Sequence, residues 1–123
     1  MEKKILIVDD FENTLFVTAL TLERANYKVH KANSAKQAIT LLKSDIKIDL
    51  IITDYNMPDI NGLEFVETVK QISIYSNVPI FVLSTEKDED IKKRALKKGV
   101  TAWIQKPFDA KKLVEYVKKT IGL

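Results

Sequence analysis

There is no cysteine among the 123 residues. That excludes a disulfide framework and a thiolate-bound metal, and the chain suits a reducing compartment. Glycine and proline number three each, too few for a long disordered linker. No apolar stretch approaches a membrane span, and the span Lys4 to Val8 is too short for a signal-peptide core. Neither GxxxxGK[ST] nor GxGxxG occurs, so these glycine-rich phosphate cradles are missing and a nucleotide is not the obvious ligand. These absences predict one soluble, cytoplasmic domain spanning residues 1–123, with no membrane partner.

What is present is a hydrophobic content of 46%, enough for one core at this length. The net charge of +3 is unevenly spread, with eleven Lys/Arg against six Asp/Glu from Glu86 onward and nine against eleven before it. A basic last third admits nucleic-acid binding. Helices carrying solvated lysines are the simpler reading, and no aromatic residue is interleaved with Lys92-Lys93-Arg94. We therefore expect no nucleic-acid partner.

Ile5-Leu6-Ile7-Val8 is continuously apolar, as in a strand covered on both faces. A helix is expected from about Glu12 to Ala25, with Phe11, Leu15, Ala19 and Leu22 on its buried face. Tyr27 to Ala32 reads as a weaker strand near an edge, with His30 a half-exposed residue on it. Ser34 and Gln37 form a capping-box pattern before a helix buried through Ala35, Ala38, Ile39 and Leu42. Leu50 to Thr53 is a second buried strand, ending in Asp54 and followed by the turn pairs Met57-Pro58 and Asn61-Gly62. A helix over Leu63 to about Ile72 follows, then a strand over Pro79 to Leu83. An acidic start at Glu86 to Asp90 opens a helix that Gly99 stops. Its thin stripe of Ile91, Ala95 and Leu96 predicts weak packing. Ala102 to Gln105 is a last short strand, and Asp109 caps a final helix with Leu113, Val117 and Ile121 on one face. Five strands joined through helices predict an α/β fold: a parallel sheet with helices on both faces.

Four apolar strands thus end in Asp9-Asp10, Asp54, Ser84-Thr85 and Lys106. In a parallel sheet these tips share one edge, where ligands bind. Singly, each has a plain structural explanation as a turn, a cap or a solvated charge. Jointly, three carboxylates repel one another and raise each other's pKa, which a hard divalent cation such as Mg²⁺ relieves. Mg²⁺, a lysine and a hydroxyl around one carboxylate make a site suited to a phosphoryl group.

These residues resemble the response-regulator receiver domains of two-component signalling. The resemblance covers essentially the whole chain and rests on Val8-Asp9-Asp10, the Asp54 loop with Met57-Pro58 and Gly62, Ser84-Thr85, and Lys106-Pro107-Phe108. It is closest to the stand-alone chemotaxis regulators of the CheY type, through Asn56, Ser84-Thr85-Glu86 and Trp103 to Phe108. The resemblance implies a five-stranded sheet of order 2-1-3-4-5, flavodoxin-like. It implies that Asp54 accepts a phosphoryl group from a CheA-like sensor histidine kinase. Asp10, Asp54 and the Asn56 carbonyl would hold Mg²⁺, with Asp9 acting through a metal-bound water. Lys106, Thr85 and the Tyr55 amide would contact the phosphoryl group, Ser84 would move onto it, and Trp103 would turn inward behind Ser84. Trp103 departs from the Tyr, Phe or His usual at its position.

No output domain is expected after Lys106, so output would pass through a partner. A flagellar motor switch protein is the first expectation and a histidine phosphotransferase the second, with the regulator itself monomeric. The basic excess suggests an acidic or amphipathic segment docking across residues 91–121. The chain is not expected to be an enzyme beyond its own phosphorylation and dephosphorylation. A phosphatase with Asp54 as nucleophile would want an acid where Asn56 stands. A flavin-binding relative would want a hydroxyl-rich phosphate loop after the first strand, and none occurs.

Overall fold

The computed structural model describes residues 2–123. Its strands are β1 (Lys4–Val8), β2 (Lys28–Ala32), β3 (Leu50–Asp54), β4 (Ile80–Ser84) and β5 (Ala102–Gln105). Its helices are α1 (Glu12–Glu23), α2 (Ala35–Leu42), α3 (Gly62–Lys70), α4 (Glu89–Lys97) and α5 (Ala110–Ile121). All strand pairs are parallel and the order is β2-β1-β3-β4-β5. The expected fold class and strand order are therefore the observed ones.

Alternation along continuously apolar strands explains the two-faced sheet. Leu6, Val8, Ile51, Ile80 and Val82 pack with α2, α3 and Ala95 of α4. Their neighbours Ile5, Ile7, Leu50, Ile52, Phe81 and Leu83 pack with Leu15, Ala19 and Leu22 of α1 and Leu113 and Val117 of α5. Successive side chains point to opposite faces, so a strand apolar at every position must be covered twice. β2 lies at an edge, as expected, and presents Lys28 and Lys31 to solvent, charges that blunt a free strand edge. Among the described residues no helix is long and apolar enough to cross a membrane.

Several local expectations need correction. Phe11 is not on the buried face of α1; it is the extended residue before the helix and is 63% exposed. The Asp9 carboxylate accepts its backbone N–H at 2.9 Å, which fixes the chain one residue before helical geometry begins. Asn61-Gly62 is a helix start rather than a simple turn. The Asn61 side chain accepts the Glu64 N–H, and Glu64 accepts the Asn61 N–H in return, a reciprocal cap. Ser34 accepts the Gln37 N–H as expected, but the Gln37 carbonyl oxygen reaches the N–H of Asn33. After α3 comes a 3-10 turn, Ser73–Tyr75, that sequence periodicity did not reveal. α4 begins only at Glu89: the Glu86 carboxylate accepts the loop amides of Lys87 and Asp88, and Asp88 caps the helix by accepting the Asp90 N–H. It buries Ala95 alone and stops at Gly99 with φ +101°, as its thin stripe predicted.

Two contacts stiffen the loop after β3. The Asp59 carboxylate accepts the Lys36 N–H of the first turn of α2 at 3.1 Å, filling a donor that a helix start leaves open. Gly62 donates its N–H to the Tyr55 carbonyl at 2.7 Å. A Cβ on Gly62 would meet the Tyr55 Cα at 2.9 Å and the Asp54 carbonyl at 3.0 Å. Both obstacles are backbone, so the loop itself would have to shift. Gly62→Ala should cost roughly 1–3 kcal/mol by overpacking, read as a lower urea midpoint with an unchanged slope.

Candidate functional site

Register carries the strand tips to one edge. Val8 lies opposite Thr53, Thr53 opposite Val82, and Val82 opposite Trp103. The residues that follow on each strand therefore share one rim. Asp9 is held there by its N–H to the Ala32 carbonyl at 3.1 Å and by its carboxylate on the Phe11 N–H. Asp54 is the last residue of β3 and lies opposite Leu83. Lys106 follows β5 directly and anchors its N–H on the Ser84 carbonyl at 2.8 Å. The Lys106–Pro107 peptide is cis.

The expected acids converge. Carboxylate oxygens of Asp9, Asp10 and Asp54 lie within 4.8 Å of one another. Asp9 and Asp54 are buried and Asp10 is exposed. Lys106 Nζ donates to Asp54 Oδ1 at 2.7 Å and stands 3.6 Å from Asp9 Oδ2. One ammonium thus faces three acids. Burial pushes the Asp9 carboxyl above its ordinary value, with the charges of Asp54 and Asp10 adding to the rise. The Phe11 N–H and the Lys106 charge pull the other way and do not overcome it. Three hard oxygen donors with surplus negative charge, one of them open to solvent, fit a divalent cation that keeps part of its water.

The remaining expected residues divide. Asn56 is exposed on the loop directly after Asp54-Tyr55, and Thr85 is exposed after β4. Ser84 is 1% exposed, and its Oγ accepts the Glu86 N–H at 2.8 Å, so its hydroxyl is turned into the β4–α4 loop. As an acceptor there it still owns a proton to donate. The Tyr55 amide, expected on a phosphoryl oxygen, instead donates to the Leu83 carbonyl at 3.0 Å. The β3–β4 ladder runs one residue past Asp54 and claims it. Trp103 is half-buried on the face of the sheet that carries Tyr55, Met57 and Ile60. Its ring centroid is 5.4 Å from that of Tyr55, with the planes tilted by 52°.

Sequence reasoning missed Thr53 and Val17 beside the site. Thr53 is fully buried, and its hydroxyl donates to the Asp54 carbonyl at 3.0 Å; read as one more apolar-run residue, it gave no signal. Phe16 and Val17 on α1 are 60% and 58% exposed. They were absent from the predicted buried stripe, which was itself the available signal. Val17 lines an apolar groove of about 510 Å³ with Thr14, Pro107 and Phe108, and the groove opens beside Lys106 and Thr85. His30 stays on β2 outside the cluster. Burial and the charges of Lys28 and Lys4 lower its pKa.

The family profile of the response regulator receiver domain matches residues 5–118. Chemotaxis protein CheY1 of Helicobacter pylori is 34% identical over 120 residues, covering 97% of each protein. A CheY homolog of Campylobacter jejuni is 35% identical, covering 97% of this chain and 92% of that one. The phosphate regulon transcriptional regulatory protein PhoB of Pseudomonas aeruginosa is 34% identical, and there the match covers only 52% of the longer protein. Among solved structures, Vibrio cholerae chemotaxis protein CheY4 superposes with a TM-score of 0.92 at 32% identity, over 98% of this chain and 99% of that one.

A carboxyl whose folded pKa lies above its unfolded value opposes folding once ionised. The metal-free protein should therefore lose stability as pH rises from about 4 through the folded pKa of Asp9. Asp9→Asn keeps an oxygen for the Phe11 N–H and removes the charge. It should raise the metal-free melting temperature by roughly 2–5 °C at neutral pH and reduce the further rise that millimolar Mg²⁺ gives the unsubstituted protein. Scanning calorimetry with and without Mg²⁺ reads both.

Proposed function

The chain belongs to the response regulator receiver domain family, and from that premise we propose that Asp54 accepts a phosphoryl group from a phosphohistidine on a sensor histidine kinase. The observation that carries this is the 2.7 Å contact of Lys106 with Asp54 inside a three-carboxylate cluster. Asp54 pairs with the Lys106 ammonium at the end of β3, on the rim where the strand tips meet. An Asp54 oxygen attacks phosphorus, the P–N bond breaks, and the imidazole nitrogen leaves with the bond pair and takes up a proton. The product is an acyl phosphate on Asp54. Lys106 then has a phosphoryl oxygen to pair with, and the Ser84 proton and Thr85 are at hand for the others. Asp10, Asp54 and the Asn56 carbonyl would hold Mg²⁺, with Asp9 in support, and the ion supplies charge neutralisation for the transferring oxygens. The groove between Val17 and Phe108 offers the donor's apolar flank a seat beside the same lysine.

Output follows from a population shift on α4, β5 and α5. α4 is held by Ala95 and by the Lys98–Glu67 ion pair, so little burial opposes its displacement. The β5–α5 face carries a cavity of about 420 Å³ lined by Gln105, Lys112 and Tyr116, among others. The Lys/Arg excess of the last third of the sequence suits an acidic or amphipathic segment. The relatives named above as chemotaxis proteins, matched over nearly their whole length, favour a flagellar motor switch protein as that partner. A phosphorelay, with a histidine phosphotransferase as acceptor, is the second reading. The chain acts as a cytoplasmic regulator rather than as an enzyme on an external substrate.

Incubation with a phosphorylated kinase should label the wild-type protein and not Asp54→Asn. Lys106→Ala should slow labelling by roughly 10²-fold, the scale for losing one charged donor at a transition state. Labelling of Asp54→Asn at the wild-type rate would reject the assignment. Charge reversal at Lys92, Lys112 and Lys119 should weaken binding of a motor-switch peptide and flatten its salt dependence, measured by titration at two ionic strengths.

A further inference from the structure

Two residues next to the proposed phosphoryl site are tied to different parts of the molecule. Ser84 is tied to the β4–α4 loop, because its Oγ holds the Glu86 N–H. Tyr55 is tied to β5, because its ring rests on the indole of Trp103 at 5.4 Å. Tyr55 has little freedom to move apart from Asp54. The peptide bond joins them, its N–H is fixed on the Leu83 carbonyl, and its carbonyl is fixed by the Gly62 N–H. The lack of room for a Cβ at Gly62 closes the loop behind it. A displacement of the Asp54 backbone therefore moves the Tyr55 ring, and the ring bears on Trp103.

The indole is poised for such a displacement. Among the described residues, its Nε1–H is buried without a hydrogen-bond partner. A buried donor without an acceptor forfeits the bond it had in water. Any shift that lets water or an acceptor reach Nε1 recovers that bond, so the resting contact is biased to yield. Trp103 lies on the edge strand β5 and itself lines the cavity between β5 and α5. Movement of the indole is felt there directly.

We propose that Tyr55 is a positioning residue that carries the state of Asp54 to β5 through its ring contact with Trp103, by a route separate from the Ser84 hydroxyl. The proposal rests on the phosphoacceptor reading of Asp54. Its consequence is that this chain has two parallel readouts, one through Ser84 to the β4–α4 loop and one through Tyr55 to β5. The tryptophan is then the receiving half of an aromatic lever.

Trp103 is the single tryptophan of the sequence, so tryptophan-selective emission reports the surroundings of this indole alone. The experiment compares wild type, Ser84→Ala, Tyr55→Phe and Tyr55→Leu with and without Mg²⁺ and beryllofluoride, with Tyr55→Met replacing Tyr55→Leu should the latter not fold. Fluorine NMR counts the occupied sites, and emission is expressed per occupied site. Loading should move the wild-type emission maximum to the red as Nε1 reaches a polar partner. Ser84→Ala and Tyr55→Phe should keep most of that shift, and removal of the ring should lose most of it. If the ringless variant keeps a larger share than Ser84→Ala, the separate route is overturned. If wild type shows bound fluoride but no emission change, the lever falls and the phosphoacceptor reading stands. If wild type binds no beryllofluoride, that reading falls and takes the lever with it.

Discussion

One ammonium among three carboxylates sets the terms for the rest of the molecule. Lys106 reaches Asp54 at 2.7 Å and Asp9 at 3.6 Å, and it answers only part of the negative charge gathered at that rim. An arrangement of this kind does not arise from local sequence. Asp9 and Asp54 come from strands more than forty residues apart, and Lys106 lies a further fifty-two residues along. Only a parallel sheet with every strand pointing the same way brings their tips together. The electrostatic cost is carried by the two apolar faces below, where Phe65, Phe81 and the strand isoleucines are buried essentially completely. Burial on that scale can hold a few mutually repelling groups in place.

The packing is uneven in a way that matches the proposed division of labour. β3 is buried at all five positions and β4 likewise, so the phosphoacceptor strand and its neighbour form the stiff part. β5 has one buried residue and α4 has one. Regions with few buried contacts open at the lower end of the stability range. The acidic cluster therefore sits on the firm half, and Lys106 reaches it from the loose one, so a change in charge has something to displace.

The strand tips were legible in sequence because they needed only two rules: continuous apolar runs are doubly covered strands, and parallel strands end on one edge. Asp9, Asp10, Asp54, Ser84 and Lys106 followed from those rules, and family resemblance added the strand order. Hydrogen-bond assignments were not legible in the same way. The Tyr55 amide could serve a ligand or the ladder, and only the register with Leu83 decides for the ladder. Phe11 falls at helical spacing from Leu15, yet the Asp9 side chain ends the loop one residue later than periodicity implies. The Asn61–Glu64 cap was disguised by the turn chemistry of Asn-Gly, since the same residue types serve both purposes. Contacts between side chains distant in sequence, such as Tyr55 on Trp103, carry no periodic signature at all.

The Asp59 carboxylate bears on a different matter. It supplies from across the chain the acceptor that the second amide of α2 needs, while its own loop runs from Asp54 to Gly62. Burial alone would raise its pKa, but backbone N–H groups, those of Ile60 and Lys36 foremost, together hold it below the ordinary carboxylate value. The first turn of α2 and the phosphoacceptor loop are thereby a single cooperative unit, although they lie on different elements. Amide exchange in that turn will rise and fall with the loop, and a helix remote from the output face becomes a gauge of what is bound at the rim.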